Sequence, residues 1–175
     1  MLLHASHAAQ HGHHSILLRT LDSDVVVLAM LLAQEMQSED KMWLAFGTSF
    51  QYLAAHEIAA GLGRGKARVL PMFHALTGCD TMSSFARRGK KTACEDTPEL
   101  TEALLLLLLS FAPRDIPDVA IRIIKRFMIL LYDRTGKCTD TDKARRKLFA
   151  RNNNVQLITP TKAALEEHVK RAVWS

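Results

Sequence analysis

Cysteine is scarce and badly spaced for structural work: the three residues, Cys79, Cys94 and Cys138, form no CxxC pair. That excludes a disulfide framework and a zinc knuckle, and it suits a reducing compartment. Long apolar runs are also missing. The two greasiest stretches are Val25–Ala33 and Ala103–Leu109, the latter with six consecutive leucines from Leu104 to Leu109. Both fall short of the roughly 20 residues that span a bilayer, so both are expected as buried core helices. The opening Met1-Leu2-Leu3-His4 has neither the basic region nor the long apolar stretch of a signal peptide. The expectation is an intracellular protein of nucleus or cytoplasm with no membrane partner. Internal repeats and low-complexity tails are absent as well.

What is present is ordinary for a globular chain. The sequence has 175 residues, 48% hydrophobic and 23% charged, enough to bury a real core. Lys and Arg number 23 against 18 Asp and Glu, giving a net charge of +5. That excess permits contact with a nucleic-acid backbone without establishing it.

Hydrophobic spacing predicts a helix over Leu2–Gln10 and a short buried strand over Ser15–Thr20. From Asp24 to about Met36 apolar residues fill every face, as in a helix packed on a sheet. Gln37–Lys41 reads as a polar turn and Met42–Phe46 as a second buried strand, with Phe50–Leu53 either completing a hairpin or opening a loop. A helix around His56–Leu62 should stop at Gly61-Leu62-Gly63, and Ala67–Leu76 should form another despite Pro71. Beyond it, Glu99–Phe111, Asp118–Tyr132, Asp140–Ala150 and Thr161–Val173 read as helices, with prolines near their boundaries. Strand–helix alternation followed by helices implies an α/β fold with a parallel sheet and an appended helical half. The expected division is residues 1–80 for the α/β core and 81–175 for the helical region.

Two aspartates stand where chemistry is usual in such folds. Ligands of open parallel sheets sit outside the carboxyl ends of the strands, and Asp22 and Asp24 follow the first strand there. One residue apart in extended backbone, their side chains would point to the same side. Converging carboxylates repel unless a cation neutralises them, and a hard dication such as Mg²⁺ accepts those oxygens. Asp80, after a Gly-Cys turn, offers a third ligand. The alternative is a helix N-cap at Asp22 or Asp24 with a solvated partner. Further on, Arg87, Arg88, Gly89, Lys90, Lys91 and Thr92 open a helix with clustered cations. Such a turn attracts phosphodiesters, although basic turns are often only solvated surface.

These segments resemble a known group. Thr20-Leu21-Asp22-Ser23-Asp24 before an apolar helix resembles the central aspartate motif of the flap-endonuclease-type, PIN-like nucleases. Thr77-Gly78-Cys79-Asp80 followed by Arg88-Gly89-Lys90-Lys91-Thr92-Ala93 resembles that group's aspartate turn and helix–two-turn–helix. Closer still is the likeness to a multicopy animal family whose members carry IRTVDTDVVVLA and TGCDT…GRGKKTA. Its counterparts here run from Leu18–Ala29 and Leu70–Ala93 to Leu131–Arg134 and Pro160–Ala172, so the likeness covers nearly the whole chain.

The resemblance implies a PIN-like three-layer fold with a parallel sheet, then a helical half containing a helix–two-turn–helix-like element. It implies Asp22, Asp24 and Asp80 as catalytic, metal-binding aspartates for Mg²⁺ or Mn²⁺. It implies that Arg88, Gly89, Lys90, Lys91 and Thr92 contact a DNA or RNA backbone, with Arg87 beside them as a further cation, and the reaction would be two-metal phosphodiester hydrolysis. The sequence departs from the pattern in two places. No acidic residue precedes Asp22, where the family carries Glu-Ala-Asp just before the counterpart of Leu2. Ala86-Arg87-Arg88-Gly89 also stands where a further glycine is usual. The expectation is therefore a truncated or degenerate nuclease domain with weak metal binding, or a non-catalytic interaction module on the same fold. A missing strand would leave a sheet edge exposed or one face partly uncovered.

Remaining features have plainer readings. His4, His7 and His11 share a helical face, with His13 and His14 beyond, and read as a polar surface rather than a zinc site. His56-Glu57 reads as a capping pair and His74 as a hydrogen-bonded core residue. Asp133 to Arg151 carries seven basic residues against three acidic ones, a solvated helix face or an extension of the nucleic-acid surface whose binding would fall steeply with salt.

Overall fold

A computed structural model describes residues 1–49, 51–78, 98–109, 116–133, 137–152, 154 and 158–174. Two compact units emerge, Met1–Pro71 and Met72–Ser175. The first is α/β and the second is helical among the described residues, with no helix there long and apolar enough to cross a membrane.

In the first unit the order is α1 (Leu2–Gln10), β1 (Ser15–Thr20), α2 (Ser23–Glu35), β2 (Lys41–Phe46), β3 (Gln51–Ala54) and the start of α3 (Ala55–Thr77). The three strands form one sheet in the order β1-β2-β3. β1 and β2 run parallel, with Ile16 opposite Met42 and Leu18 opposite Leu44. A parallel pair needs a long crossover, and α2 supplies it. β2 and β3 run antiparallel, because the connection from Gly47 through residue 50 is too short for anything but a hairpin. Gly47 takes φ +79° with open space around its Cα, so backbone conformation rather than crowding calls for glycine there. The sheet is thus mixed: the expected parallel pair is present, and β3 takes the hairpin alternative.

Ile16, Leu18, Met42 and Leu44 point to one face, where Ala5 of α1 and Ala29 of α2 close the core. The expected burial of β1 holds for that face alone: its exposure strictly alternates, and Leu17 on the other face is 58% exposed. α2 is likewise less enclosed than its composition suggests, with Ala29 its one fully buried residue and Leu28 exposed. α3 breaks its helical backbone at Gly63, which adopts φ 76°, where the Gly-Leu-Gly sequence predicts a stop.

The helical unit contains the end of α3, then α4 (Pro98–Leu108), α5 (Asp118–Tyr132), α6 (Thr141–Asn152) and α7 (Lys162–Trp174). α5 is the hub and packs against α4, α6 and α7. Its Ala120, Ile124, Met128 and Ile129 are fully buried at the three-to-four-residue spacing of a helical stripe. The leucine run of α4 contributes Leu104 and Leu107 to the core, as expected of a buried helix. His168 of α7 is 5% exposed and its Nε2 lies 2.8 Å from the carbonyl of Leu76, satisfying an acceptor at the end of α3.

Candidate functional site at the carboxyl end of the first strand

β1 ends at buried Thr20, whose hydroxyl oxygen accepts the Asp22 amide at 3.0 Å. The Gly47 amide donates to the Thr20 carbonyl at 3.3 Å, tying the carboxyl ends of β1 and β2 together. Asp22 then turns the chain with extended dihedrals (φ −96°, ψ 122°) and caps α2: its Oδ1 accepts the Asp24 amide at 2.8 Å. Asp24 itself lies in the first turn of α2. The expected extended Asp-Ser-Asp therefore does not form. Helical backbone begins at Ser23, and the proximity of the two residues comes from the cap.

The result is an open acidic edge. Asp22 is exposed and Asp24 is half-buried. Both sit beside the positive end of the α2 dipole, which relieves part of their repulsion without a cation. Oδ2 of Asp22 keeps no partner among the described residues. Hard carboxylate oxygens at a sheet's carboxyl end suit Mg²⁺ or Mn²⁺ rather than a soft metal. Asp80, Arg87, Arg88, Gly89, Lys90, Lys91 and Thr92 lie outside the described residues. The structure thus brings Asp22 and Asp24 together, and no group of three or more His, Cys, Asp or Glu is placed to hold a metal among the described residues.

The histidines divide into two kinds. His4 and His7 lie on an exposed face of α1 and His11 is its C-cap, with the His7 and His11 rings stacked at 4.0 Å. His14, by contrast, has a partner 26 residues away. Its Nδ1 lies 2.7 Å from Oδ1 of Asp40, whose Oδ2 accepts the Gln37 amide at 3.0 Å. That hydrogen bond raises the His14 pKa and lowers that of Asp40. The pair clips the loop before β1 to the turn before β2, where the Lys41 amide also donates to the His14 carbonyl. Its spacing in sequence carries no signal for it.

His56 serves as a clip rather than a cap: Nδ1 donates to the Met42 carbonyl at 3.0 Å and the ring meets Trp43 edge-on at 5.4 Å. His74 is buried, as expected of a core residue. In the basic C-terminal stretch, Arg145 donates to the Thr159 carbonyl at 2.8 Å and Lys147 lies 3.8 Å from Asp133. Arg146, Arg151 and the aromatic Phe149 are exposed. Asp140 caps α6 by accepting the Lys143 amide at 2.7 Å, and that bond holds its carboxyl below the usual range.

Sequence reasoning also missed a charge cluster between α5 and α7. Lys125 Nζ meets Glu166 Oε1 at 2.7 Å across 41 residues of sequence, with side chains 18% and 33% exposed. The Lys125 hydrogen bond, helped by the charges of Lys162 and Lys170, holds the Glu166 carboxyl below its ordinary range. Periodicity places each of these residues on a helix but does not say which helices meet. No protein-family model, curated protein or solved structure matches the chain.

Proposed function

We propose that the chain is a divalent-metal-dependent nuclease domain of PIN-like, flap-endonuclease type, acting on the phosphodiester backbone of DNA or RNA inside the cell. The observation that carries this reading is the placement of Asp22 and Asp24 together at the carboxyl end of a parallel strand pair, at the start of the crossover helix. Ligands of open α/β sheets bind at that position. Asp22, Asp24 and Asp80 would hold Mg²⁺ or Mn²⁺. Arg87, Arg88, Gly89, Lys90, Lys91 and Thr92 would grip the substrate backbone through charge and amide donors. When bound, the metal supplies an activated water and stabilises charge on the phosphorus centre. In this reading the first unit is the surviving part of a PIN-like three-layer fold, and the sparse carboxylate set makes metal affinity weak.

One observation favours a second reading, a non-catalytic interaction module on the same fold. Asp22 already has structural employment as the N-cap of α2, which is reason enough for an aspartate there. The test is cleavage of flap, duplex and single-stranded substrates by the purified chain with Mg²⁺ or Mn²⁺. The nuclease reading expects cleavage that EDTA and Asp80→Ala both abolish. Cleavage of none of the three, or cleavage indifferent to Asp80→Ala, leaves the interaction module.

A further inference from the structure

The helical unit contains a cleft of about 460 Å³ lined by residues of α5 and α7. Its volume lies within the range of small-molecule sites, roughly 300–1,000 Å³, but such sites are usually apolar. This one has four cationic side chains, Arg122, Lys125, Lys162 and Lys170, against two carboxylates, Asp118 and Glu166. The imbalance is not cancelled by ion pairing. Lys125 is held by a short bond to Glu166. Lys170 pairs with Glu167 at 2.7 Å, but the two side chains are 46% and 63% exposed, and such a surface pair is worth little. The side chains of Arg122 and Lys162 have neither hydrogen bond nor ion pair among the described residues.

Cations facing one concavity repel one another, and an anion that bridges them removes that cost. Several point charges together with a guanidinium fork match a polyvalent oxyanion better than a single carboxylate. We propose that the cleft between α5 and α7 binds a phosphate-bearing ligand, with Arg122 and Lys162 as its main contacts and the Lys125–Glu166 pair as its fixed wall. The ligand chemistry is shared by a free polyphosphate and a phosphodiester backbone. The site needs no metal and none of the aspartates at the end of β1, so it stands apart from the nuclease reading.

The test is binding by the full chain in EDTA, which removes any metal-dependent contribution at the aspartates. Three probes are titrated: inorganic tripolyphosphate, ATP and a short labelled oligothymidylate. Saturable binding of at least one is expected, and it should weaken as salt rises. Affinity should fall about tenfold for each cation removed in Arg122→Ala and Lys162→Ala. Arg64→Ala, at an exposed position of α3 that does not line the cleft, should leave it within about twofold. Arg122→Gln and Lys162→Gln keep the aliphatic stems, so they should reproduce the loss without disturbing packing. Cleft-dependent binding of tripolyphosphate or ATP identifies a free polyphosphate. Cleft-dependent binding of the oligonucleotide alone identifies a phosphodiester backbone. If no probe binds, or if the cleft variants bind like the wild type, the proposal is overturned.

Discussion

The two units assemble their polar features by different physical routes. In the α/β unit, Asp22 and Asp24 are neighbours in sequence, and a strand end plus a helix cap is enough to hold them together. In the helical unit, Lys125 meets Glu166 and His168 meets the Leu76 carbonyl because helices pack, across 41 and 92 residues of chain. The first kind of site is written in local backbone chemistry and survives as long as one strand and one helix form. The second exists only once the core of the unit is closed. A perturbation of packing should therefore erase the charge cluster at α5 and α7 while touching the acidic edge least.

The harshest way to break the comparison is to open either core. Leu44 in β2 and Ile124 in α5 are both fully buried, and each change to alanine should cost about 3 kcal/mol in denaturant unfolding. Ile124→Ala should also weaken the coupling between Lys125 and Glu166, whereas Leu44→Ala should not. Next in size is His168→Ala. It removes the partner of the Leu76 carbonyl in a buried setting, a loss of about 2 kcal/mol measurable by the same unfolding. His56→Ala, on a half-buried ring, should cost about half as much.

The α2 cap offers a finer discrimination. Asp22→Ala should cost about 1 kcal/mol, while Asp22→Asn should change stability by only a few tenths, because asparagine caps helices about as well as aspartate. Smallest of all is a pH effect confined to the first unit. The raised pKa of His14 means its contribution is complete below the ordinary imidazole value and is lost as pH rises through the raised one. The lowered pKa of Asp40 means its contribution is complete above the ordinary carboxylate value and is lost as pH falls through the lowered one. The His14–Asp40 clip therefore contributes most between those two ordinary values, and His14→Ala should flatten that part of the stability profile. An unchanged profile in the variant would show that the clip does not form in solution.

Elements whose signal is local were legible in the sequence. The spacing in Leu2–Gln10, the run Ser15–Thr20 and the stripe Asp118–Tyr132 mark α1, β1 and α5 at the bounds found. The break at Gly63 follows from a glycine that can take positive φ. Strand direction was legible only in part. A parallel β1–β2 pair follows from the helix between them, whereas the residues of β3 read equally as a hairpin strand or as a loop, and the hairpin forms. The aspartates read either as an extended pair or as a helix N-cap, and the cap at Asp22 is the geometry that forms. Capping competes with the strand, and the Asp24 amide bond to Asp22 wins because it also satisfies a helix end. The His14–Asp40 and Lys125–Glu166 pairs were invisible, since no local pattern records which distant elements will meet.

Asp22 supports both readings of the acidic edge, and one substitution separates them. Asp22→Asn preserves the cap of α2 while removing the negative charge a metal needs. The decisive measurement is calorimetric titration of Mn²⁺ into the wild-type chain and Asp22→Asn, with thermal unfolding recorded in parallel. The nuclease account predicts that the wild type binds Mn²⁺ and that the variant loses the binding while its melting temperature stays within a degree or two. Equal binding by both proteins, or binding by neither, would contradict it and leave Asp22 as a helix cap.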